Sequence, residues 1–121
     1  MIERLQGFPE GVVAFVCTGR VTRRDYETVL VPAVKAALKT RPKLRLYYET
    51  APDFAGYDAG AMWEDFLIGM EHLSRWERIA IVTDVEWIRM AMHLFGFLMP
   101  AGMRSFHLSE AAQARAWIVA S

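Results

Sequence analysis

From Val85 to Pro100 the chain reads VEWIRMAMHLFGFLMP, and only Glu86, Arg89 and His93 carry polar side chains there. Thr83-Asp84 before it and Pro100 after it are start and stop signals, so the stretch reads as a helix. At about 100° per residue, Glu86, Arg89, His93 and Gly96 share one narrow arc, and roughly 220° of the circumference is apolar. A helix lying on a core needs an apolar stripe of only ~100°. The surplus calls for a second cover: a neighbouring helix, a partner chain, a small apolar ligand or a membrane surface.

The other elements follow from the same patterning. Met1 to Leu5 is a short strand, then Gly7-Phe8-Pro9-Glu10-Gly11 is a turn. Val12 to Thr18, VVAFVCT, is an unbroken apolar run and reads as a strand buried on both faces. A helix begins at Thr22, with Asp25 as capping partner, and presents Tyr26, Leu30, Val34, Ala37 and Leu38 on one face. Pro32 interrupts it with an expected kink, and Pro42 marks its end. Leu44 to Tyr48 is the next strand, and Thr50 to Gly60 the most loop-like stretch. A second helix is expected from Asp58 to Ser74, with Met62, Trp63, Phe66, Leu67, Met70 and Leu73 on one face. Arg78 to Thr83 and Met103 to Leu108 read as strands. Ser109 is the expected N-cap of a last helix, Ala111 to Ala120.

The order is β-β-α-β-α-β-α-β-α: an α/β fold with a mixed sheet of about five strands and four helices. The first strand should sit at an edge, antiparallel to its neighbour. Val12 to Thr18 and Arg78 to Thr83 should be interior.

Composition narrows the function. The 121 residues suit one domain, 1–121. Fourteen basic residues balance 14 acidic ones, and without a basic stripe no nucleic acid is expected. The single cysteine, Cys17, cannot form an internal disulfide; it fits a reducing compartment and inert packing in a strand. No signal peptide is evident, and no apolar run reaches the ~20 residues that span a bilayer. A cytoplasmic protein is expected, with peripheral membrane contact left open. His72, His93 and His107 come from three elements without metal-ligand spacing, so neither metal nor cofactor is expected. Asp53, Asp58 and Asp84 lie at loop–helix junctions, where Asp58 and Asp84 are good N-caps. No P-loop, dinucleotide fingerprint or nucleophile elbow occurs, and an enzyme is not expected.

The element order resembles that of STAS domains, and looks most like the SpoIIAA-like proteins. That bacterial branch also resembles the CRAL-TRIO lipid-transfer fold. The carrying segments are MIERLQGFPEGVVAFVCTGRVTRRDYETVLVPAV, LRLYYE, RIAIVTD and MRSFHLSEAAQARAWI. The resemblance implies a small regulatory or ligand-binding module, with membrane or lipid association proposed for the branch. Anti-sigma factor antagonists of the wider family carry a phosphorylated serine after the third strand. Glu49 to Gly60 holds no serine here, and Thr50 is its sole aliphatic hydroxyl.

Five of seven methionines, Met62, Met70, Met90, Met92 and Met99, lie in the second and third helices. Trp63 and Trp87 sit near the starts of the same helices. They form either ordinary core or an adaptable binding surface. Trp87, Met90, Leu94 and Phe97, spaced 3, 4 and 3 apart, make one stripe beside the polar arc. Ile88, Ala91, Phe95 and Leu98 should face the sheet. The stripe should then face Met62, Trp63, Phe66 and Met70, and these eight residues are the candidate ligand-binding set. The expected occupant is an apolar small molecule, a lipid or a membrane surface. The alternative is a protein-interaction module of the antagonist kind, binding a partner or forming a homodimer.

Overall fold

The structure, a computed structural model, describes residues 1–58, 75–96 and 102–120. The expected helix from Asp58 to Ser74, with Met62, Trp63, Phe66 and Met70, lies outside them except for Asp58, as do Phe97 and Leu98.

The strands are β1 (Ile2–Arg4), β2 (Val12–Cys17), β3 (Arg20–Val21), β4 (Leu44–Thr50), β5 (Gly56–Tyr57), β6 (Trp76–Val82) and β7 (Gly102–Phe106). Five of them form one sheet in the order β1-β2-β4-β6-β7. As expected, β1 is an edge strand antiparallel to β2, with Ile2 opposite Cys17. The pairs β2–β4, β4–β6 and β6–β7 are parallel. The expected runs Val12 to Thr18 and Arg78 to Thr83 are interior and buried apart from half-buried Val16, Thr18 and Arg78. The sequence reading missed β3 and β5, which pair parallel in a separate ribbon. Two residues each carry too little alternation to register as strands.

The first helical run, α1, is α-helical at Arg23–Asp25, π-helical at Tyr26–Leu30 and α-helical at Val31–Thr40. Thr22 caps it, exchanging hydrogen bonds with Asp25 as expected. Pro32 acts through the π turn. Proline cannot donate to the carbonyl four residues back and crowds it. The run accommodates this by sending the Val31 N–H to the Tyr26 carbonyl, five residues back. The second described helix, α2, spans Glu86–Gly96; a 3₁₀ turn, Leu108–Glu110, leads into α3, Ala111–Val119.

Alternation along the strands builds two cores. On one face Val13, Phe15, Cys17, Tyr48, Ile79 and Ile81 join Tyr26, Leu30 and Val34 of α1 and Ile88 of α2. On the other, Val12, Ala14, Tyr47, Ala80, Val82 and Phe106 meet Ala114 and Ile118 of α3. Arg45 and Arg78 fasten α3 by donating to its last carbonyls, at Trp117, Ile118 and Ala120. Tyr47, inside this second core, donates to Glu49 Oε1 at 2.6 Å.

Thr83, just beyond β6, ties the sheet's carboxyl end together. Its N–H donates to Phe106 O at 2.9 Å. Its hydroxyl lies 2.6 Å from that of Thr50 at the end of β4, and both side chains are fully buried. The same Oγ1 accepts the Val85 N–H at 3.1 Å, at the start of α2.

Thr83→Val should cost about 1–3 kcal/mol, because the Thr50 hydroxyl loses its partner inside the core. Urea unfolding of both single valine variants and the double variant checks this: the double should cost less than the singles summed. A second expectation concerns Tyr47, whose phenol burial and the Glu49 bond push from 10.0 up to about 12. The folded state keeps a proton that the unfolded chain loses near 10.0. Stability present below pH 10.0 therefore falls as pH rises toward about 12. Tyr47→Phe should flatten that alkaline limb in urea midpoints.

Candidate functional site

The loops after β4 and β6 lie at the carboxyl end of a parallel sheet, where open α/β folds place ligands. From there α2 runs across the face that β7 borders. Its start is set by Thr83, and the Arg89 N–H then closes the first turn on Val85 O at 3.2 Å.

Asp84 does not cap its own helix, which corrects the sequence expectation. Its Oδ1 accepts the Leu108 N–H at 3.0 Å and pairs with His107 Nδ1 at 3.2 Å, so it serves the start of the next helical segment. Tertiary approach of β6 and β7 brings that N-terminus within reach; sequence distance hid it. Ser109 is likewise not the N-cap. The 3₁₀ turn starts immediately after His107, whose N–H donates to Glu110 Oε1 at 2.8 Å, leaving Ser109 inside the turn. Asp58 pairs with Arg20, the helix it was expected to cap lies outside the described residues, and Asp53 lies exposed on the loop. Asp58 and Asp84 are thus engaged by different partners.

On α2, Ile88 is only 4% exposed, whereas Trp87, Met90 and Leu94 are 47%, 68% and 69% exposed. Ile88 therefore faces the sheet as expected, Ala91 is half-buried, and three members of the expected stripe point outward. Trp87 is steadied from one side. Its ring meets Tyr57 edge-on at 6.0 Å, and Tyr57 meets Phe54 at 5.0 Å. Beneath them the Tyr57, Tyr48 and Tyr26 hydroxyls form a chain with steps of 2.7 and 2.9 Å. This chain locks the loop after β4 to strand and helix, so Trp87 rests on a fixed aromatic ledge. The sequence reading missed it, because three scattered tyrosines give no periodic signal.

Another side of α2 borders a cleft of about 300 Å³, lined among the described residues by Met92, His93, Gly96, Met103 and Ser105. Met103 and Ser105 alternate along β7, a spacing that could have flagged them as sharing α2's side of the sheet. Among the described residues, no three His, Cys, Asp or Glu side chains gather as a metal site, and no helix is long and apolar enough to cross a membrane.

A model of the family described as SpoIIAA-like matches residues 12–119. The chain belongs to the SpoIIAA-like family. A crystal structure of an uncharacterised DUF3478-family protein with a SpoIIAA-like fold, from Shewanella loihica PV-4, aligns with a TM-score of 0.76. It is 22% identical, and the alignment covers 98% of this chain and 92% of that one. It supports the fold. None of the curated proteins matches the chain. In this SpoIIAA-like chain, Thr50, the sole aliphatic hydroxyl between Glu49 and Gly60, is buried and bonded to Thr83. Its hydroxyl serves the core and is not presented for modification.

Asp84 lends itself to a pH test. The Leu108 N–H first, and His107 after it, hold its carboxyl below the ordinary 3.8. A depressed folded value gives stability that is present above 3.8 and lost as pH falls through the lower value. Asp84→Asn should therefore lower the urea midpoint near neutral pH, and the gap from the parent should close in acid below 3.8.

Proposed function

We propose that this SpoIIAA-like chain is a non-enzymatic regulatory module that binds an apolar ligand or lipid surface through the outer stripe of α2. One observation carries the reading: Trp87, Met90 and Leu94 stand exposed in a row on a helix whose opposite side holds Ile88 in the core. Each such side chain gains ~1.5–3 kcal/mol when removed from water, so the row favours association. The aromatic ledge fixes Trp87 at the head of the stripe before any partner arrives, which lowers the entropy lost on binding. The second helix, with Met62, Trp63, Phe66 and Met70, remains part of the proposed surface, as does Phe97.

The double substitution Met90→Ser with Leu94→Ser tests the reading. Both side chains are exposed, so stability should stay within about 1 kcal/mol of the parent. Sedimentation with phosphatidylcholine vesicles and titration with a fluorescent acyl probe should show binding by the parent and about tenfold weaker binding by the variant. Absence of binding by the parent, or equal binding by the variant, overturns the proposal. If the parent instead forms a dimer that the variant cannot, the stripe is a protein-interaction surface.

A further inference from the structure

The cleft between α2 and β7 lies round the helix from the stripe, on the side of the polar arc. At about 100° per residue, Met92 and Gly96 lie about 120–180° round the helix from Trp87, Met90 and Leu94, while His93 lies about 60° from Met90. It is therefore a second place on the same helix, and its chemistry is different. Two thioethers, Met92 and Met103, form adaptable apolar walls, and both pack against the sheet core. The His93 imidazole and Ser105 hydroxyl bring polar groups that can donate hydrogen bonds. No carboxylate lines it among the described residues, and Arg89 stands one turn before His93 on the same arc.

Gly96 is the telling position. A glycine within a helix costs about 0.5–1 kcal/mol relative to alanine. Backbone conformation does not demand it here, since Gly96 is not among the glycines with positive φ. Among the described residues packing does not demand it either, because a Cβ built there meets none of them within 4 Å. Gly96 lines the cleft, so its wall carries no side chain at that point.

We propose that this cleft binds a small amphipathic carboxylate, its acyl or aryl part between Met92 and Met103 and its head on His93 and Ser105. At ~30 Å³ per water-sized volume, 300 Å³ accommodates about ten non-hydrogen atoms. That is the size of a short-chain acid, well below a membrane lipid. The imidazole and the hydroxyl can both donate to a carboxylate head, and no carboxylate among the described lining residues opposes an anion.

Hexanoate is the probe, followed by NMR of the full chain labelled at its methionine methyl groups. Met92→Leu and Met103→Leu assign the two signals. The expected result is a saturable shift of both on titration with hexanoate, and about tenfold weaker binding of hexanol, which lacks the anionic head. Gly96→Leu should abolish the shifts while the circular dichroism and melting temperature stay close to those of Gly96→Ala. Ser105→Ala, which leaves the helix untouched, should weaken hexanoate several-fold and spare hexanol. The Met90→Ser, Leu94→Ser variant should bind hexanoate like the parent, so this outcome is read separately from vesicle binding. No saturable shift, equal affinity for hexanol, or full hexanoate binding by Gly96→Leu or Ser105→Ala would each overturn the proposal.

Discussion

The described structure turns on one threonine. Thr83 stands where β6 ends and α2 is about to begin, with both of its backbone polar groups and its hydroxyl engaged. The N–H holds β7, the carbonyl lies 3.5 Å from an Arg89 nitrogen, and the hydroxyl joins Thr50 of β4 to the first amide of the helix approach. Such groups are costly to bury singly and cheap when they satisfy each other. The arrangement therefore fixes three neighbouring strands and one helix start in a single geometry. Among the described residues no buried side-chain nitrogen or oxygen lacks a partner.

From that junction the two faces of α2 follow. Ile88 has to meet the sheet, because the start of the helix is pinned against it. Once it does, Trp87, Met90 and Leu94 are carried outward. Asp84 adds a second tie by reaching across to the N-terminal turn before α3. The ends of β6 and β7 are thus braced through side chains as well as through the ladder. A helix anchored so firmly at one end is a suitable carrier for exposed apolar groups, since the fold does not depend on how those groups are covered.

Much of this was legible in the chain. Unbroken apolar runs such as VVAFVC and IAIV mark strands covered on both faces, and they proved interior. Thr22 with Asp25 marked a helix start because capping is a contact between residues three apart. The surplus apolar arc of α2 was also visible, since periodicity counts faces without needing to know the neighbours. Ser109 and Asp84 misled for the converse reason. Both had the right residue type for an N-cap, but the caps were settled by where β6 and β7 place their ends.

The sequence by itself determined the order along the chain of the five sheet strands and the three described helices, the capped first helix, the edge position of β1 and the existence of an apolar excess on α2. These depend on periodicity and short-range bonding, which are properties of neighbouring residues. Only the tertiary structure decided which part of the excess points outward, that Tyr26, Tyr48 and Tyr57 share one hydroxyl chain, and that Met92 and His93 face Met103 and Ser105 across a cleft. Those are meetings of residues distant in the chain. Their geometry is set by the register of a parallel sheet and the angle at which a helix crosses it, and neither leaves a local trace in the order of amino acids.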